Sequence, residues 1–178
     1  MKHLFRIVVF LFIGGSVLAC TPSANPTTAS AEATLDPNQY PMTPFMTVRG
    51  FAFNRGKKGR PDCHTPLNKD GTLCKSVEKP GVVLNAAQQK RLLALLGTRK
   101  TFGDGETKCF IPHHGFVFYD KEDKPVAQVS ICFLCAGLRA SPRLPAQPKN
   151  PRYSGLGEAG MKNLRQLCAD VGLPDSQG

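Results

Sequence analysis

Acidic side chains are scarce in this sequence: 13 Asp and Glu stand against 23 Lys and Arg, for a formal charge of +10 with histidine neutral. Such a balance favours anionic neighbours. No stretch approaches the roughly 20 apolar residues of a transmembrane helix, since the unbroken apolar run from Ile7 to Ile13 is far shorter. The G-x-S-x-G elbow, the P-loop and the H-E-x-x-H zinc pair are missing. Paired carboxylates with an evident common face are missing too, and no internal repeat is visible. Ala136 follows Cys135, which rules out the C-x-x-C-H haem attachment pattern. A thioredoxin-like site needs its C-x-x-C at the start of a helix, whereas AGLRASPRLP follows here and makes a poor one. No residue set therefore argues for an enzyme. A thiol or metal enzyme stays as an alternative, and it would need a partly exposed, activated cysteine or an open metal position.

What is present begins with a leader. Lys2 and Arg6 precede a short apolar core, and Gly14, Gly15 and Ser16 lead into Val17-Leu18-Ala19-Cys20. These are the parts of a signal peptide, expected over residues 1–19. With Ala19 directly before Cys20, the segment resembles a bacterial lipobox rather than an ordinary cleavage site followed by a chance cysteine. The resemblance implies that Cys20 becomes the first mature residue and carries lipid on its sulfur and its amine. Each buried CH₂ contributes about 0.8 kcal/mol, so several acyl chains make a durable membrane anchor. Thr21, rather than Asp, resembles the outer-membrane case, which implies a periplasm-facing lipoprotein if the host is didermal. Loss of Lys2 and Arg6 lowers the formal charge by two.

Residues 20–45 are rich in Pro, Thr, Ser and Ala without apolar periodicity, and read as a disordered tether. Residues 46–173 suffice for one globular domain with a real core, and 174–178 form a tail. Met46 to Phe53 alternates as a strand. The loop from Asn54 to Arg60 gathers Arg55, Lys57, Lys58 and Arg60, either as a solvated turn or as a grip on an anionic envelope polymer. It lacks interleaved aromatics, and an envelope location removes it from nucleic acid. Gly81 to Leu84 is a short strand leading to a helix over 86–96, with Asn85 as N-cap, Gln88 in the capping-box position and Gly97 as the stop. Leu92, Leu93, Leu95 and Leu96 supply its core face. Pro142, Pro145, Pro148 and Pro151 recur at every third position, the repeat of a polyproline II rod, with Arg143, Lys149 and Arg152 in the next phase. This rod reads as a stiff spacer or a second cationic surface. A final helix over 158–171 buries Met161, Leu164, Leu167, Cys168 and Val171.

The chain is organised around CFIPHHGFVFYDKEDKPVAQVSICFLC, Cys109 to Cys135. Two β-rich runs flank a polar turn, which predicts a hairpin. If Asp120 pairs with Pro125, the same register sets His113 opposite Cys132 and Phe110 opposite Cys135, with Cys109 one step beyond. Pro112, lacking an N–H, distorts the ladder there. Apart from Cys20, six cysteines remain: Cys63, Cys74, Cys109, Cys132, Cys135 and Cys168. An oxidising compartment predicts three disulfides, Cys63–Cys74 closing a local loop and two more among the other four. Joint action of Cys132 and Cys135 requires the strand to turn at Phe133-Leu134. The alternative is a metal site of Cys109, His113 or His114, Cys132 and Cys135, whose three thiolates and one imidazole suit tetrahedral zinc, or copper(I) next. His64 beside Cys63 reads as a surface residue.

The lipobox together with FGDGETKCFIPHHG and ICFLC resembles a group of small, uncharacterised bacterial lipoproteins that share a CFxPxH segment followed by ICFxC. The resemblance maps to Cys109, Phe110, Pro112, His114, Cys132, Phe133 and Cys135, and implies His114 rather than His113 as the cysteines' partner; the hairpin register favours His113. The group carries no established activity, so the resemblance implies a site and no reaction. The expected fold is α+β: a small antiparallel sheet built on a central β-hairpin and packed by two helices, with the Cys/His cluster either stapling it or binding a metal.

Overall fold

The computed structural model describes residues 39–56, 59–105, 109–149 and 155–173. The expected leader, the lipidation residue Cys20, the tether up to residue 38, Lys57, Lys58, Pro151, Arg152 and the tail lie outside the described residues.

Strands β1 (Thr47–Ala52), β2 (Val82–Val83), β3 (His114–Tyr119), β4 (Pro125–Cys132) and β5 (Gly137–Ser141) form one antiparallel sheet in the order β2-β1-β3-β4-β5. The β3–β4 hairpin lies at its middle, and β3 is buried along its whole length, as a run of Gly, Val and aromatics requires. The hairpin closes because Asp120 Oδ1 accepts from the backbone N–H groups of Glu122 and Lys124, both at 2.9 Å, while Asp123 adopts φ 58°. A local carboxylate turn and a left-handed residue are what Asp tolerates well.

Helices α1 (Ala86–Leu96) and α2 (Glu158–Asp170) cover one face. There Val48, Phe116, Phe118, Val129 and Ile131 of the sheet meet Leu92, Leu96, Leu164 and Leu167. The α1 start is the expected capping box: Asn85 accepts from Gln88 N–H at 3.0 Å, and Gln88 Oε1 accepts from Asn85 N–H at 2.9 Å. Gly97 N–H ends the helix on Leu93 O at 2.8 Å. On α2, Gly160 faces the short 3-10 helix Arg99–Thr101, where a Cβ would run into the Thr101 carbonyl. That absence of a side chain sets how closely α2 approaches.

The opposite face carries a cover with no regular structure. Phe51, Phe53, Val117 and Tyr119 pack against Leu67, Cys74 and Val77 of the irregular segment 61–78. This segment is held by the Cys63–Cys74 disulfide and by Leu67 N–H donating to Gln128 Oε1 at 2.9 Å. Gly115 permits the seating, because a Cβ there would overlap the Pro66 ring. The sheet is thus covered by helices on one side and by a stapled loop on the other.

Three features go beyond the expected elements. Packing reaches back to Tyr40, which is buried, donates its hydroxyl to Gln128 O at 2.9 Å and meets Phe118 edge-on at 5.3 Å. Burial holds its phenol well above the ordinary tyrosine range, against the opposing pull of the Gln128 carbonyl. Next, AGLRAS forms edge strand β5, paired with β4 from Cys132↔Gly137 to Gln128↔Ser141. Last, the described part of the proline-spaced segment is not a rod. Gln147 N–H donates to Leu144 O at 3.2 Å and Leu144 is buried, whereas a polyproline II helix has no internal hydrogen bonds.

Candidate functional site

The open end of the hairpin carries an irregularity. His114 pairs with Ile131 and Gly115 with Ser130, yet His113 N–H also donates to Ile131 O, at 2.8 Å. Two successive residues of one strand therefore address a single residue of its neighbour, which makes a β-bulge. Beside it, His113 O accepts from Phe53 N–H at 2.8 Å. Pro112, with no N–H to give, stands where a regular ladder would otherwise continue. The expected register holds from His114↔Ile131 to Phe118↔Ala127, but at the turn the ladder shifts and Pro125 pairs with Tyr119 rather than Asp120. At the open end the extra residue shifts it again, so His113 does not face Cys132 and Cys109, not Phe110, is brought to Cys135.

Cys109 and Cys135 form a disulfide with Cα atoms 5.8 Å apart, and Cys63 and Cys74 form another at 6.5 Å. Cys132 and Cys168 are both buried and in neither bond, so among the described residues two disulfides stand where three were expected. The reason is the sheet itself. Cys132 ends β4 in phase with Gln128 and Ser130, toward the loop-covered side, whereas Cys168 belongs to the helix-side core. The turn required after Cys132 is present over Phe133–Ala136, with Ala136 at φ 48°. It folds Cys135 back over Cys132, whose Sγ accepts from Cys135 N–H at 3.2 Å and from Ile111 N–H at 3.4 Å.

The metal arrangement of Cys109, His113 or His114, Cys132 and Cys135 does not assemble. Its thiolates at Cys109 and Cys135 are joined to each other, and a disulfide sulfur is no thiolate ligand. Among the described residues no three of His, Cys, Asp and Glu are placed to hold a metal ion, so the zinc and copper readings lose their ligand set.

The two histidines enter a different cluster. Both are buried, and Arg55 directs a guanidinium nitrogen onto His113 Nε2 at 3.0 Å. Arginine offers only donors, so this ring nitrogen accepts, and the proton of the neutral ring lies on Nδ1. The Phe133 ring lies 5.4 Å from His114 and 6.4 Å from His113, centroid to centroid. Arg165 of α2 stacks its guanidinium 4.9 Å from the Phe133 centroid and reaches Phe133 O at 3.4 Å. Nearer the disulfide, the Phe110 ring meets exposed Arg139 at 4.3 Å and exposed His64 at 6.3 Å.

Arg55 thus turns onto His113, while Arg60 stays exposed. Sequence reasoning missed Arg139 and Arg165. Arg165 follows Met161 by one helical repeat at the border of the buried stripe, which is a legible signal; Arg139 depends on β5, which had none. The hairpin end brings together a solvent-facing disulfide, a buried thiol, three imidazoles and three guanidinium groups. Comparison of the chain with protein-family models, with curated proteins and with solved structures finds no match in any of the three.

Proposed function

We propose that the chain is an exported bacterial envelope lipoprotein, anchored to a membrane through lipid on Cys20, whose cysteines staple a small α+β domain. In a didermal host it belongs to the periplasmic side of the outer membrane, and to the group of small lipoproteins that share CFxPxH and ICFxC. The observation that carries the reading is the presence of two disulfides in one small domain, because such bonds persist chiefly in oxidising compartments outside the cytosol. The leader ending at Ala19-Cys20 points to the same compartment by independent chemistry.

The test is metabolic labelling with a palmitate analogue, followed by intact mass and thiol counting on the same purified chain. The expected result is lipid lost in Cys20→Ala, an N-terminus at residue 20, four oxidised cysteines and two thiols. A chain that keeps its leader, takes no label and contains only reduced cysteines would sink the proposal.

A further inference from the structure

The three cysteines at the hairpin end lie in a graded order of exposure. Cys109 is exposed, Cys135 is half-buried and Cys132 is fully buried. The Cys132 sulfur is hydrogen-bonded to both arms of the neighbouring disulfide, through the N–H of Cys135 itself and the N–H of Ile111, two residues from Cys109. The Cys132 sulfur thus lies 3.2 Å from the backbone nitrogen of the residue whose sulfur it would attack. Closure of a Cys132–Cys135 bond also needs a reversing backbone between them, and the turn over Phe133–Ala136 supplies it. Cys135 therefore has two partners within reach.

We propose that the Cys109–Cys135 bond is an exchangeable disulfide, with Cys132 as its internal nucleophile and Cys109 as the outward-facing thiol that reacts with disulfide substrates. In the first step Cys132, as thiolate, attacks Cys135 Sγ, and the proton it gives up ends on the released Cys109 sulfur. The Cys132–Cys135 bond forms, the Cys109–Cys135 bond breaks, and the electron pair leaves on Cys109. No oxidant or reductant is consumed, because one thiol and one disulfide enter and one of each remains. The leaving sulfur faces water, where thiolate is best solvated. In the second step Cys109 attacks an accessible disulfide of a small molecule or peptide, forming a mixed disulfide and releasing one thiol. A buried thiol, able to reach only Cys135, is thereby exchanged for an exposed one that can meet outside disulfides. Cys63–Cys74 has no such third sulfur among the described residues and stays a staple. The proposal depends on the disulfide at Cys109 and not on export or lipidation, so it stands or falls separately from them.

The sequence offers a clean readout. Trypsin cuts after Lys108, Lys121 and Arg139 but not at Lys124-Pro125, so Cys109 lies on one peptide and Cys132 with Cys135 on the next. The full chain is incubated with oxidised glutathione at mildly alkaline pH, quenched in acid and digested. The expected product carries glutathione on Cys109 in the peptide 109–121, alongside a peptide 122–139 closed on itself by Cys132–Cys135. Cys168 stays unmodified and reports that the domain has not unfolded. Cys132→Ser and Cys132→Ala both lose the Cys109 adduct; two substitutions guard against one that fails to fold. An adduct on Cys132 or Cys168 instead, no adduct on the intact chain, or an equal Cys109 adduct in the Cys132 variants would each overturn the proposal.

Discussion

Removing the Cys63–Cys74 crosslink by the double substitution Cys63→Ser/Cys74→Ser isolates the energetic role of the loop that covers the second sheet face. The bond spans a sequence separation of 11. Chain-entropy reasoning for a loop of that length gives ~2.8 kcal/mol, drawn from restriction of the unfolded chain. The contacts of Leu67 and Val77 and the Leu67–Gln128 hydrogen bond survive the substitution, while Cys74, buried in the same cluster with its Sγ accepting from Ser76 N–H at 3.3 Å, is replaced by a smaller hydroxyl. The crosslink by itself corresponds to a fall in melting temperature of about 10 °C for a domain of this size, and burying a serine hydroxyl at position 74 adds to it. Urea unfolding followed by circular dichroism suits a chain that has no tryptophan. The companion variant Cys109→Ser/Cys135→Ser removes a separation of 26 and costs ~0.8 kcal/mol more by the same relation. A loss below about 1 kcal/mol in Cys63→Ser/Cys74→Ser would refute the entropic account. It would mean that the unfolded chain is already compact there.

The remaining predictions concern single residues. Gly160→Ala places a methyl group into the Thr101 carbonyl, a backbone atom that cannot step aside alone, and should destabilise by about 1–3 kcal/mol, read as a lower urea midpoint at unchanged slope. Ser130 is fully buried and its hydroxyl has no hydrogen-bond partner among the described residues. Ser130→Ala should therefore raise stability by about 1 kcal/mol, measured the same way; a loss instead would mean that the hydroxyl is satisfied. The Asp170 carboxyl is held below the ordinary carboxylate range by hydrogen bonds from Gln166 first and Arg91 second. A depressed folded value stabilises above the unfolded value of about 3.9 and is lost as the pH falls through the folded one. Asp170→Asn should accordingly flatten the acid limb of the stability–pH curve, and superimposable limbs would remove Asp170 from the account.

The parts of the fold that could be read in advance are those whose signals are local. Asn85, Gln88 and Gly97 mark both ends of α1 through short-range hydrogen bonds, so the helix stands where they place it. The β-branched and aromatic run from Gly115 to Tyr119, with a polar turn behind it, does the same for the hairpin. The Cys63–Cys74 bond follows from short separation around a turn pair. What escaped is non-local. Strand β5 is short, lies at the sheet edge and contains Arg139, so its place depends on backbone pairing with β4 and not on side-chain pattern. Burial of Leu67 and Leu144 arises only once a sheet face exists to receive them. The bulge at His113 and His114 comes from backbone hydrogen bonding, to which their shared side chain gives no clue. That one residue also explains why Cys109, rather than Phe110, meets Cys135.

The same bulge gives the Cys109–Cys135 bond a second meaning. A hairpin whose strands slip by one residue turns every side chain to the opposite face. The sulfur of Cys109 meets that of Cys135 only after the strand has taken up its extra residue at His113 and His114, so closure is conditional on correct alignment. The closed bond therefore marks a hairpin in its native alignment, since a strand slipped by one residue would hold the two sulfurs apart.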